Sequence, residues 1–319
     1  MSRVSVKQRV LKLVRGSIPL TCAAFLADNL LASLEISRPD PSPNDHLGGA
    51  DLAGDLLYAR RVADMYISAA PDLHGAVAEI GPRGNAAVAL HLIAHGCERV
   101  DLLDRFSFGH DPALLSKMYR GIIEADARLS AIFSDRDELT PDISTHFGEK
   151  AAAEVFFDAH RGYDAIVSCA VFEHLYDPLT ALDKMASALN PGGWLFHQVD
   201  LRDHGMFTAG GHLELTFLTI PNWLYPYMSR GRGRPNRVLI DSYRHALARL
   251  GMRYEFQVTH LVGVGAVTPA PYDQLPEAQR ALALDAVRRA RPHLSKAFQD
   301  RDERDLSVAS FFMTAVKQA

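Results

Sequence analysis

Short apolar runs alternate along this chain with longer stretches in which apolar residues recur every three or four positions. Val77-Ala78-Glu79-Ile80 is a run of the first kind, and Gly81 closes it. Such a run predicts a strand covered on both faces of a parallel sheet. Val88 and Leu92, with Ala86, Ala89 and Leu90 beside them, have helical spacing, and Gly96 marks a stop. They predict a helix over 85–94. Val100 to Asp104 predicts a second strand that ends in an acid. A third strand is expected over 142–147, with a helix over 149–160 after Gly148. Tyr163 to Ser168 reads as strand four, and 177–189 as a helix opened by Asp177-Pro178. Asn190-Pro191-Gly192-Gly193 reads as a tight turn and Trp194 to Val199 as strand five. A helix over 241–250, a strand over 252–262, a helix over 276–290 and a last strand over 307–316 complete the series. Before it, 4–35 has helical spacing, 38–54 is rich in Pro, Asp and Gly and reads as a loop, and 55–70 reads as a helix ended by Pro71.

Strands and helices in this alternation predict an α/β fold, doubly wound and Rossmann-like, with right-handed crossovers. We expect a mostly parallel, seven-stranded sheet with an antiparallel last strand. Residues 1–75 would form an N-terminal helical cap segment. Residues 76–319 would form the main domain, with insertions at about 200–250 and 263–305. The chain has 319 residues, 48% of them apolar and 23% charged, enough to bury a full core. A formal net charge of −4 gives no reason to expect nucleic-acid or membrane partners. Cys22, Cys97 and Cys169 lie too far apart in sequence for a disulfide framework, which fits a reduced, cytoplasmic setting. No apolar run approaches the ~20 residues of a membrane helix. The basic start, with Arg3, Lys7, Arg9, Lys12 and Arg15, lacks the apolar core of a signal peptide.

The chemistry concentrates where strands end. Gly81-Pro82-Arg83-Gly84 turns the chain sharply and lets backbone approach a ligand. Asp104 lies about twenty residues further on, where a carboxylate in a nucleotide-binding βαβ unit accepts from ribose hydroxyls. The turn lacks the third glycine of the dinucleotide fingerprint and instead carries Glu79 at the end of its strand. With these residues the chain resembles the class I S-adenosylmethionine-dependent methyltransferases of the small-molecule type. Their first motif is an acid followed by a glycine-rich turn, and Arg83 stands where many members have glycine. The likeness continues through Val171-Phe172-Glu173-His174-Leu175, Asp177-Pro178 and Leu189-Asn190-Pro191-Gly192-Gly193. It implies S-adenosylmethionine as cofactor, bound by Glu79, Gly81, Pro82, Gly84, Asp104, Arg105 and Ser168. A nicotinamide-dependent oxidoreductase and a silent binding protein of the same fold are the alternatives.

In an open parallel sheet the ligand lies across the C-terminal strand ends. That rule selects His174 after strand four, and His197, Asp200, Asp203 and His204 in or after strand five, as candidates for a base or for acceptor binding. Against this, Glu-His after strand four suits a structural role, and the later cluster suits a polar rim. A divalent ion held by carboxylate and imidazole is the sharper alternative there, with His212 and Glu214 nearby. No spacing fixes a ligand geometry, so no metal is expected. Cys169 reads as a small buried residue. Tyr58, Arg60, Arg61 and Tyr66 are candidates to close over the cofactor. Trp223 to Met228 could wall a planar acceptor, and Arg230, Arg232, Arg234 and Arg237 could hold an anionic group on it. Packing or a solvated loop is the commoner explanation of such residues. The expected partner is a small-molecule acceptor, from specialised metabolism or a modified sugar, and a homodimer is open.

Overall fold

The computed structural model describes residues 14–34, 52–106, 112–132, 142–229 and 233–318. The elements are α1 (Ile18–Ser33), α2 (Leu52–Ala69), β1 (Gly75–Ile80), α3 (Ala87–His95), β2 (Cys97–Asp104), α4 (Pro112–Ala125), α5 (Ala127–Ile132), β3 (Ile143–Phe147) and β4 (Tyr163–Cys169). Then come α6 (Pro178–Ala188), β5 (Leu189–Asp200), α7 (Ile240–Arg249), β6 (Arg253–Leu261), β7 (Gly265–Ala270), α8 (Glu277–Ala290) and β8 (Val308–Val316), with shorter helical turns between. The first residues of the helix expected over 4–35, and most of the loop expected over 38–54, lie outside the described residues.

The strands form one sheet in the order β3-β2-β1-β4-β5-β8-β6-β7. β3, β2, β1, β4 and β5 pair in parallel, and β8, β6 and β7 join antiparallel. Successive side chains point to opposite faces, and the packing follows that alternation. Ala78, Ile80, Ile166 and Leu195 belong to the core under α6 and α7. Val77, Ala165, Val167 and Phe196 belong to the core on the other face, with α2 and α3. Helix α2 is therefore part of the sheet's own packing, with Val62, Ala63 and Tyr66 buried. A third cluster joins α1 to the segment after β5 through Cys22, Phe207, Phe217 and Met228, which are all buried.

Two expectations need correction. The sheet has eight strands, not seven. Gly263 and Gly265, at φ +70° and +93°, reverse the chain after β6, and β7 adds an edge strand from what the sequence presented as an excursion. Its Pro269 is tolerated because β7 is an edge strand and the residue falls in the irregular stretch between the Ala266 and Ala270 pairs. The helix expected over 149–160 is only a 3-10 turn at Glu149–Ala151 and one α turn at Ala153–Phe156. Ala152 between them is extended, at φ −63° and ψ 136°. The break lets Phe156 and Phe157 bury side by side, with Phe157 edge-on to Tyr163.

Candidate active site

The strand order reverses between β1 and β4, which is where open α/β sheets bind ligands. Gly81 leaves β1 at φ +72°, and a Cβ there would stand 2.4 Å from Val171 Cγ2. The glycine thus lets the turn after β1 lie directly against the loop after β4. Arg83 follows at φ +55° and Gly84 at φ +70°. Arg83 takes the left-handed conformation that favours glycine. Asn85 then locks the turn to α3: its Nδ2 donates to Pro82 O at 2.8 Å and its Oδ1 accepts from Ala87 N at 3.0 Å.

A cleft, partly open to solvent, lies over this turn and is lined by Tyr58, Glu79, Gly81, Pro82, Arg83 and Cys169 among others. Tyr58 comes from α2, and its hydroxyl is 3.7 Å from Cys169 Sγ. Arg61 and Arg83 place their guanidinium groups over the Tyr58 ring at 5.4 and 5.8 Å. Glu79 is buried beneath the cleft, and its Oε2 has no hydrogen-bond partner. Burial pushes its carboxyl up to about 8. Asp104 ends β2 and accepts from Phe106 N at 2.9 Å. Burial raises its carboxyl to about 6, against the pull of that bond and of Arg83.

A second group of titratable side chains gathers past the ends of β4 and β5. Glu173 is buried, and no side chain hydrogen-bonds either carboxyl oxygen. His204 Nε2 approaches it at 3.7 Å and Asp200 Oδ2 at 3.5 Å. The His174 and His204 rings meet at right angles with centroids 4.8 Å apart. Asp200 accepts from Arg202 Nε at 2.8 Å and Nη2 at 2.6 Å. Burial would raise Asp200, but Arg202 and His204 outweigh it and hold the carboxyl below its usual range. For His204 burial works downward, and Asp200 and Glu173 win, so the imidazole is pushed up. Glu173 is raised to about 8 by burial, and His174 is lowered to about 4 by burial and the neighbouring His204.

Residues 56–261 match a family model described as a methyltransferase domain. The chain belongs to this family. It is an S-adenosylmethionine-dependent methyltransferase. No curated protein matches it in sequence. Among solved structures it is similar to a chain in the complex between the Haloferax volcanii Trm112 methyltransferase activator and the putative methyltransferase, at 16% identity over 91% of this chain and 97% of that one, TM-score 0.43. An S-adenosylmethionine-dependent methyltransferase from Mesorhizobium loti matches at 15% identity over 85% and 100%, TM-score 0.39. Haemonchus contortus phosphoethanolamine N-methyltransferase 2, solved with phosphomonomethylethanolamine and S-adenosylhomocysteine, matches at 15% over 82% and 53%, TM-score 0.43.

The cleft of the methyltransferase fits its cofactor. An orphaned, buried acceptor at Glu79 suits a ligand that brings positive charge and donors, and Gly81 holds backbone where a side chain would intrude. Of the residues expected at the cofactor, Glu79, Gly81 and Pro82 line the cleft. Gly84 sits in the same turn. Arg105 is engaged elsewhere: it pairs with Glu154 at 2.9 Å and stacks over Tyr176 at 4.1 Å. Ser168 is wholly buried and its Oγ is 2.8 Å from His197 Nδ1.

The expected acceptor group divides in the same way. His174, Asp200 and His204 come together with Glu173. His197 does not join them, because it is fully buried inside β5 against Phe172, where burial lowers it to about 3. Asp203 is spent on its own turn. It accepts from the backbone of Gly205, Phe207 and Thr208 and from Thr208 Oγ1, at 2.6–3.0 Å. His212 and Glu214 are likewise elsewhere, bonded to Arg15 O at 3.1 Å and Gly263 N at 2.6 Å.

The remaining candidates split between cleft and packing. Tyr66 stacks on Phe196 in the core, and Arg60 pairs with Asp64 on the surface. Trp223 and Tyr227 are exposed, whereas Tyr225 and Met228 are buried. Arg234 pairs with Asp28 of α1, and Arg237 donates to Ile220 O and covers the Tyr225 ring, so both hold the segment after β5 together. Arg230 and Arg232 lie outside the described residues. Sequence reasoning did not single out Asn85 or Met118, which also line the cleft. Asn85 carried a local signal, an amide beside a glycine turn at a helix start. Met118 carried none, because α4 reaches the cleft only through the packing of the sheet's face.

Proposed function

We propose that this methyltransferase transfers the methyl group of S-adenosylmethionine to a small-molecule acceptor held between the cleft and the Glu173–His204 group, with specialised metabolites and modified sugars as the acceptor classes to test first. The observation that supports this reading is the adjacency of the two sites. Cys169 lines the cleft, and the chain reaches Glu173 four residues later. When bound, the cofactor supplies an already activated methyl group, so the protein's work is to position the acceptor and exclude water. The Gly81–Gly84 turn and Glu79 would hold the methionine end, Asp104 the ribose hydroxyls, and Tyr58 would wall the cleft. His174, Asp200 and His204 would meet the acceptor. A cytoplasmic location and a homodimer belong to the same reading; among the described residues no helix is long and apolar enough to cross a membrane.

Calorimetric titration with S-adenosylhomocysteine and with NAD tests the cofactor side, and turnover over a panel of small acceptors tests the transfer. Binding of NAD alone would favour an oxidoreductase. Tight S-adenosylhomocysteine binding without turnover on any acceptor would favour a silent binder.

Two further results are expected on the cofactor side. Asp104→Ala should weaken S-adenosylmethionine binding, because ribose hydroxyls lose a charged acceptor worth about 1.5–3 kcal/mol. Unchanged calorimetric affinity in a folded variant would remove Asp104 from the site. The second concerns pH. Glu79, raised to about 8, is mostly protonated at neutral pH in the free protein. A cationic ligand above it favours the carboxylate, so binding releases a proton. Affinity for S-adenosylmethionine should therefore rise with pH, by at most about tenfold per unit, and level off once Glu79 is ionised in the free protein. Glu79→Gln should flatten this dependence; a slope that survives in that variant belongs to another group.

A further inference from the structure

No side chain hydrogen-bonds either oxygen of the buried Glu173 carboxyl, although two imidazoles stand beside it. A carboxyl buried in this position is held as an anion only where a cation faces it. His174 is oriented as a ligand would be. Its Nδ1 is 2.5 Å from Gly233 O, which can only accept, so Nδ1 carries the proton and Nε2 keeps its lone pair. Metal-binding imidazoles are commonly fixed in this manner, with the outer nitrogen donating to a backbone carbonyl. His204 presents Nε2 to Glu173 Oε1 at 3.7 Å. One ligand atom from each of Glu173, His174 and His204 lies within 4.8 Å of the others.

We propose that Glu173, His174 and His204 bind a divalent transition-metal ion of borderline character, such as Zn²⁺, past the C-terminal ends of β4 and β5. One carboxylate oxygen and two imidazole nitrogens suit such an ion better than Mg²⁺ or Ca²⁺, which take oxygen donors. Ligand atoms around a tetrahedral ion stand about 3.3 Å apart, so the three side chains close in when it binds. Asp200, held by Arg202, flanks the site and adds a second negative charge. Three protein ligands leave a coordination position open. An acceptor oxygen would fill it and be held and acidified there, a role that rests on the acceptor-side reading above; the binding of the ion does not.

The test uses the untagged full chain, stripped with a chelator and checked for fold by circular dichroism. Zn²⁺ is titrated in competition with a chromophoric chelator, and Co²⁺ is followed by its visible absorption, with neither cofactor nor acceptor present. One ion per chain is expected, with an intense Co²⁺ band from a site of low coordination number. Glu173→Gln and His204→Gln should each lower Zn²⁺ affinity on the order of 100-fold or more with the circular dichroism spectrum retained. A folded wild type that takes up neither ion overturns the proposal, and so does uptake that both variants keep at wild-type affinity. S-adenosylhomocysteine binding, measured separately, reports on the cofactor site alone, so failure here is distinct from failure of the methyl-transfer reading.

Discussion

Gly81→Val is expected to abolish measurable S-adenosylhomocysteine binding. The first carbon of the new side chain would stand 2.4 Å from Val171 Cγ2, and ordinary contact begins near 3.5 Å, so turn and loop must part by about 1 Å. A β-branched residue at φ +72° adds backbone strain, because the left-handed region costs even unbranched residues about 1–2 kcal/mol. Both effects fall on the backbone that approaches the ligand. A hydrogen bond to a charged group is worth about 1.5–3 kcal/mol, so a ligand that loses even one or two of them should bind on the order of 100-fold more weakly or worse. From the sequence alone, the change is expected to harm binding more completely than folding. The structure adds a cost to folding, since Val171 is part of the protein, and thermal unfolding should show a lowered Tm. Gly81→Ala separates the two effects, having the same first contact but less bulk. A folded Gly81→Val protein with wild-type affinity in calorimetry would remove the turn from the cofactor site.

His204→Ala is expected to lower turnover while leaving S-adenosylhomocysteine affinity near wild type. His204 joins Asp200 and Glu173 at 3.5 and 3.7 Å, past the strand ends and outside the residues that line the cleft. If it moves a proton of the acceptor, the loss should be on the order of 10²–10⁴-fold. A loss in kcat with cofactor affinity preserved is the signature of a group that acts on the acceptor or the transition state. Chelator treatment of the wild type separates two routes to this result: an activity that stops and returns with a divalent ion points to metal binding, and an indifferent one to a base. Full turnover in His204→Ala, and likewise in His174→Ala and Asp200→Ala, would reduce the group to a polar rim.

The glycine turn was legible because its signals are local. An apolar run, an acid, two glycines and a helix-spaced stretch follow one another directly, and each constrains backbone that is already adjacent. The same holds for Asp177, which caps α6 by accepting from Thr180 N at 3.0 Å, as Asp-Pro at a helix start suggests. β7 was not legible, since a proline-containing edge strand carries little periodicity and depends on two glycines reversing the chain. The short turns at 149–156 were missed for a related reason: apolar residues at helical spacing also serve two aromatic rings packed around a break.

The titratable residues divide along the same line. Composition and order placed His174, His197, Asp200, Asp203 and His204 near the strand ends, which was correct in sequence and insufficient in space. Parallel pairing of β4 with β5, with Ser168 opposite His197, sets the two strand ends side by side. That register brings Glu173 to His204 and buries His197 among core residues. One loop consumes Asp203 in its own backbone bonds and leaves His204 facing Glu173. The sequence by itself determined the strand–turn–helix unit, the alternation of elements and the end of the sheet at which the candidate site lies. Tertiary structure decided which side chains at that end meet, which are spent on turns and which are buried without a side-chain partner. Backbone preferences and hydrophobic period act between near neighbours in the chain, whereas burial and charge pairing depend on elements that only the folded sheet brings together.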